Sequence, residues 1–210
     1  MTRIKVEDFP AITDKSYENL FNYTRFKPLT RVLNALSLTF KPGERAFCTA
    51  VRLHASQVSQ ELQQEIKEFI SQEAMHSKHH SVLNSFIGEH GLDVKLCEKQ
   101  AQDRLNSLGL TPKKQLQTTK ALETLTALGG WLFLVAKPLF KDNQSSLLWE
   151  LHAKDERDHF WLCDEIYYQI YGGFSVEYSL HFCKTLVQLF LQTKDNYKRL
   201  VKIEERIKND

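Results

Sequence analysis

Nowhere along the chain do apolar and polar residues alternate strictly over the length a strand needs, and no Asn-Gly or Asp-Gly pair marks a hairpin. The longest apolar run, Leu128 to Phe140, is broken by Lys137 and Pro138. It falls well short of the roughly 20 residues that would span a bilayer. Long stretches carry neither glycine nor proline and read as helices.

The breakers and caps divide these helices. The first lie within Asp14 to Leu38, with a break near Lys27-Pro28. Pro42 reads as a first-turn proline that opens a helix over 42–58. Ser59 caps a helix over 60–89, which Gly91 stops. A shorter helix covers 93–106 before Gly109. Thr111-Pro112 starts a helix over 111–136, Ser145 or Ser146 opens one over 146–171 ending at Gly172-Gly173, and Ser175 caps the last, to about residue 207. A very short turn makes 42–58 and 60–89 antiparallel neighbours, and the same holds for 111–136 and 146–171. The connection between the pairs contains a helix of its own, as a crossover along a bundle would. The expectation is an all-α, up-down-down-up four-helix bundle over about 42–171, in one domain of 1–210 with extra helices at 14–38 and 175–207.

Composition changes this picture little. A chain of 210 residues can bury a core without disulfides. The formal charge of +2 is spread, leaving no basic face for nucleic acid. The stretch Lys198 to Lys208 mixes both signs and reads as a solvated helix end. Cys48, Cys97, Cys163 and Cys183 form no CxxC pair and read as reduced thiols of a cytoplasmic protein. Met1 to Pro10 is charged and lacks the apolar segment of a signal peptide.

Two of the long helices carry Glu-x-x-His: Glu73 with His76, and Glu156 with His159. Three residues on a helix turn through about 300°, so each pair leaves one face a turn apart and can hold one ion together. The other two helices each place a glutamate among small or apolar residues, Glu44 and Glu123. Four converging buried glutamates would repel one another unless cations neutralise them. Two divalent ions would balance four carboxylates and leave the imidazoles neutral. This is the ligand order of dimetal carboxylate bundles, so Glu44, Glu73, His76, Glu123, Glu156 and His159 are the expected ligands.

Three segments also resemble a known family. Phe40-Lys-Pro-Gly-Glu44-Arg45, Gln72-Glu73-Ala-Met-His76-Ser-Lys-His-His80 and Trp149-Glu-Leu-His152-Ala-Lys-Asp-Glu156-Arg-Asp-His159 are similar to motifs of the bacterial predicted metal-dependent hydrolases. The resemblance runs from about Leu38 to Tyr171 and implies a ferritin-like bundle. Neighbouring ferritin-like enzymes use two irons to activate dioxygen. Many carry Asp-Glu-x-Arg-His, whereas here Arg157 follows Glu156 and Asp158 precedes His159, which implies a different arrangement behind the ligands.

Helix direction adds further candidates. His80 and His152 each lie roughly 8 Å along the axis from the midpoint of their pair. In an up-down-down-up bundle they fall at one level below the metals, as extra ligands, pocket walls or proton relays. His79 points elsewhere, to solvent. Cys48 and Cys163 fall one turn above, as small core residues rather than a redox pair. Asp155 and Asp164 are candidates to orient ligand histidines. Thr126, Gly129 and Gly130 leave room beside Glu123 for a substrate, and Trp131 to Val135 reads as core.

The expected function is a dinuclear enzyme, di-iron by preference with manganese or zinc as alternatives, that activates dioxygen to oxidise a small or apolar molecule. One alternative is hydrolysis by a metal-bound hydroxide. Another is a non-enzymatic iron-binding bundle. No separate catalytic residue is assigned. No nucleic-acid or membrane partner is expected, and a homodimer fits the aromatic content.

Overall fold

The computed structural model describes residues 11–173 and 175–209, without the side chains of Arg157, Asp158 and Lys208. The readings of Met1 to Pro10 and of the Arg157 and Asp158 side chains lie outside these residues. Among the described residues there is no strand, only an isolated bridge between Thr24 and Phe140. The helices are α1 (Tyr17–Phe21), α2 (Lys27–His54), α3 (Gln60–Glu89), α4 (Val94–Ser107), α5 (Pro112–Val135), α6 (Gln144–Tyr171) and α7 (Val176–Asn209).

Capping chemistry sets most of these boundaries. Ser59, Asp93 and Thr111 accept hydrogen bonds from the backbone N–H three residues on, at Leu62, Leu96 and Lys114. The cap of α6 is Asn143, which bonds the N–H of Ser146, so neither Ser145 nor Ser146 opens that helix. Gly172 ends it at φ 79°, a conformation that favours glycine.

Pro42 corrects the sequence reading. It does not open a helix but lies within the 28 residues of α2. Its missing N–H costs the bond to the Leu38 carbonyl. Tertiary packing outweighs that loss, because Ala35, Leu38, Phe47 and Val51 bury one continuous face of the helix.

Side-chain contacts fix the helix directions. Ser37 meets His80 and Cys48 meets Ile70, so α2 and α3 are antiparallel. His80 meets His152 and Gln72 meets His159, so α3 and α6 are antiparallel. Gln117 meets Tyr167, while the backbone at Gly130 meets Ala153, so α5 and α6 are antiparallel. The order is therefore up, down, down, up for α2, α3, α5 and α6. A cross-connection is required because α3 and α5 run the same way. The 14 residues of α4 supply it, about 21 Å of helix.

Gly130 sets the closeness of α5 and α6: a Cβ there would lie 2.8 Å from the Ala153 carbonyl oxygen. Helix α7 packs along α2 and α5. Its mixed-charge end is solvated on one side only: Lys198, Lys202, Glu205 and Arg206 are exposed, while Leu200, Ile203 and Glu204 are buried. Residues 131–135 are not uniformly core either. Phe133 is buried, but Trp131, Leu132 and Val135 face outward, since five consecutive residues of one helix cannot share a side. Among the described residues, no helix is long and apolar enough to cross a membrane.

Two apolar clusters bracket the centre of the bundle. One is built around Leu38, Leu83, Ile87 and Leu148. The other is built around Phe47, Ile66, Leu116 and Ile166. The polar residues singled out from the sequence lie between them.

Candidate metal centre

Each helix of the bundle sends acidic or imidazole side chains into this gap. Glu44 comes from α2, Glu73 and His76 from α3, Glu123 from α5, and Glu156 and His159 from α6; all six are buried. Donor atoms of Glu73, His76, Glu156 and His159 lie within 4.8 Å of one another, as do those of Glu44, His76 and His152. His159 Nδ1 is 2.6 Å from Glu73 Oε1 and 3.9 Å from Glu123 Oε2, which ties Glu123 to the same group. His76 Nδ1 lies 3.6 Å from Glu156 Oε1. The structure thus brings together all six residues expected from the sequence, and His152 with them.

The donor set is that of a cation site. Both carboxylate oxygens of Glu44, Glu73 and Glu123, and Oε2 of Glu156, are buried without a well-formed hydrogen bond. No lysine or arginine among the described residues forms a salt bridge with any of the four. Burial first, and then repulsion between the carboxylates, holds Glu44, Glu73 and Glu123 well above the usual carboxylate range. Burial acts on Glu156 in the same direction, but the facing His152 and His159 outweigh it and bring it down to about 2. Burial, then the neighbouring histidines, holds His76 well below its usual value, so its ring is neutral. Buried carboxylates that repel one another beside imidazole nitrogens are the kind of donor set that a divalent cation stabilises.

The atoms behind the rings decide which nitrogen faces the gap. His76 Nε2 donates to Asp155 Oδ2 at 3.1 Å, and His159 Nε2 donates to Gln72 Oε1 at 3.1 Å. Each ring therefore turns its Nδ1 toward the gap. Asp155 does what the sequence suggested, whereas Gln72 was not foreseen. Asp164 does not take part: its half-exposed carboxylate pairs with Lys120. It lies five residues beyond His159, so its side chain leaves the helix on a different side.

His152 is oriented by a longer chain of bonds. Ser37 donates its hydroxyl to Asn84 Oδ1 at 2.8 Å, which leaves its oxygen to accept from His80 Nδ1 at 2.9 Å. Burial holds His80 well below its usual pKa, so its Nε2 is then an acceptor. It lies 2.7 Å from His152 Nδ1, which must donate. On its other side His152 Nε2 donates to Glu156 Oε1 at 2.5 Å. His80 and His152 lie at one level, as helix direction implied, but in unequal positions: His152 is in the cluster and His80 is behind it. The rings of His76 and His152 stack at 4.2 Å, and Phe40 packs edge-on to His80. His79 turns away, its Nδ1 bonded to the Met75 carbonyl, and is half-buried rather than solvated.

The two thiols of the upper side are free and buried. Burial and the nearby Glu73 push Cys48 up to about 11, and burial with Glu123 holds Cys163 higher still. Both remain protonated and serve as small packing residues. On the other side of the centre, a cavity of about 320 Å³ reaches Glu44, His152 and Glu156, with Thr126, Gly129 and Gly130 in its wall.

No curated protein and no solved structure matches the chain. A family model described as predicted metal-dependent hydrolase matches residues 21–209, which takes in every residue of the cluster. The chain belongs to this family of predicted metal-dependent hydrolases.

Proposed function

We propose that the chain is a metal-dependent hydrolase with two divalent ions, held by Glu44, Glu73, His76, Glu123, Glu156 and His159, with His152 as a seventh ligand. One observation carries this reading: four buried glutamates and three buried histidines converge, with no lysine or arginine of the described residues paired to the glutamates, in a member of a metal-dependent family. When bound, two such ions lower the pKa of a water and polarise the oxygen of a scissile bond. Asp155, Gln72 and the Ser37–His80 pair fix the orientation of the three rings. Glu44, Glu156 and His152 stand between the ion cluster and the cavity, so a substrate group entering there meets them first. The apolar clusters on either side keep bulk water away.

A second reading is dioxygen activation by two irons. The donor set favours it, since four carboxylates with imidazoles suit iron or manganese as well as zinc. One pair of experiments separates the two. The zinc- or manganese-loaded protein is offered model esters and phosphate esters, and the iron(II) protein, prepared without oxygen, is exposed to it. Hydrolysis that disappears with chelation supports the first reading. Stoichiometric oxygen uptake with a new ferric absorption band, and no hydrolysis, replaces it with the second. Metal content below one ion per chain after loading would overturn both.

A further inference from the structure

We propose that the substrate is an amphiphile whose apolar chain or ring body, on the order of ten carbon atoms, lies in the cavity between α2, α4, α5 and α7, while its one polar group meets Glu44, Glu156 and His152. The polar end rests on the metal-centre reading above. The apolar end rests on the cavity alone.

The cavity measures about 320 Å³. A water molecule occupies about 30 Å³ in the liquid, and a methylene group is of similar size, so roughly ten such groups fill it. Its walls are aliphatic and aromatic, with Leu36 and Phe40 from α2, Leu105 from α4, Leu125 and Phe133 from α5, and Leu189 from α7. Pockets of this kind bind by burying an apolar body and orienting it through a few polar groups.

The polar groups are unevenly distributed. Glu44, His152 and Glu156 are shared with the ion cluster. Elsewhere the polar side chains are occupied with one another. The Arg104 guanidinium is bonded to Gln192, Gln188 and Asp195. Gln192 donates to Asn196 and to the Cys97 carbonyl, and Thr185 donates to the His181 carbonyl. No strong unmet partner is left for a second charged group, which is why the ligand has one polar end and an uncharged body.

Gly129 supplies an independent sign. A glycine within a helix weakens it, and at Gly130 the close approach of Ala153 explains the residue. At Gly129 a Cβ would meet nothing within 4 Å, although the residue lines the cavity. No packing requires glycine there. Gly129 is exposed as well as lining the cavity, so it stands at the cavity's open edge, where a larger side chain would narrow the way in. The neighbouring Leu128 and Leu132 are exposed and give this edge an apolar rim.

The test uses the metal-loaded full chain and straight-chain carboxylates from acetate to palmitate, followed by calorimetry and by the fluorescence of Trp149, which lines the cavity. Affinity is expected to rise about four-fold per methylene and to level off near ten carbons. Gly129→Leu is expected to weaken decanoate binding at least about ten-fold, leaving acetate affinity and metal content unchanged. Leu36→Phe, which fills the same space from α2, should act in the same direction. The proposal is overturned if affinity does not grow with chain length in the unaltered protein. It is also overturned if filled variants that keep their metal bind decanoate as tightly as the parent. Should neither variant fold, the chain-length series decides alone. Turnover of a short model ester is measured separately. Chain-length dependence without turnover retains this substrate class and removes the hydrolase reading, and turnover without chain-length dependence does the reverse.

Discussion

Glu204 on α7 and Glu73 on α3 are both almost wholly removed from water. Glu204 receives Arg31 Nε at 2.9 Å and Lys27 Nζ at 2.8 Å, with the Tyr17 hydroxyl at 3.2 Å. Those partners hold its carboxyl below the usual range even though burial acts the other way. Among the described residues no lysine or arginine pairs with Glu73, and burial with the nearby Glu156 carboxylate drives it up. The same side chain at the same depth is therefore a structural strut in one place and a candidate ion-binding group in the other. What differs is whether the fold brings its own counter-charge.

The linkage signs differ accordingly. The native metal-free protein binds protons at Glu44, Glu73 and Glu123 more tightly than the unfolded chain does. The contribution of these three groups to stability is therefore fully present below the ordinary carboxylate range and is lost as pH rises through the raised values. Glu204 contributes stability above its unfolded value, which is lost as pH falls through its lowered one.

The largest expected effect comes from removing the ligands themselves. Glu73→Ala and Glu156→Ala should each lose at least one ion per chain by elemental analysis, and activity should fall to background. Glu73→Ala should raise the melting temperature of the metal-free protein, because it relieves repulsion; full metal retention in both variants would break the contrast with Glu204. Chelation comes next. It should cost about 4 kcal/mol of stability when the ion is present at about 1,000 times its Kd. The gap in melting temperature between loaded and chelated protein should widen from about pH 5 to about pH 8, since binding releases protons from the raised glutamates. A gap that narrows with pH would contradict the direction of those shifts.

Smaller effects sharpen the comparison. Asp155→Asn and Gln72→Ala should weaken metal binding by about 10- to 100-fold in competition titrations, with the helical content unchanged. Glu204→Ala should lower stability by about 2–3 kcal/mol in urea unfolding and leave metal content intact, because its loss strands Lys27 and Arg31. Metal loss in that variant would mean the two clusters are coupled. The exposed Lys99–Asp103 pair marks the lower limit. Its removal should change stability by no more than about 0.5 kcal/mol.

Much of the centre was legible before any coordinates. Glu73 with His76 and Glu156 with His159 are local pairs whose geometry follows from helical periodicity alone. Helix direction then placed His80 opposite His152, and the structure agrees. Other parts were not legible. Gln72 reaches His159 across two helices separated by 87 positions, and no local pattern encodes such a contact. Asp164 looked as suitable as Asp155 until its partner proved to be Lys120. Pro42 looked like a helix start because the burial that carries α2 through it is tertiary.

The sequence by itself determined the helices, the candidate donor residues and their order along the chain, because periodicity, capping and charge repulsion act over a few residues or on composition. Only the tertiary structure decided which nitrogen of each histidine faces the gap, and why His152 rather than His80 belongs to the cluster. It also decided that a mixed-charge tail buries one of its faces, and that the open space lies at Gly129 while the close contact lies at Gly130. Each of these depends on atoms brought together from distant parts of the chain, and their positions follow from how the helices pack.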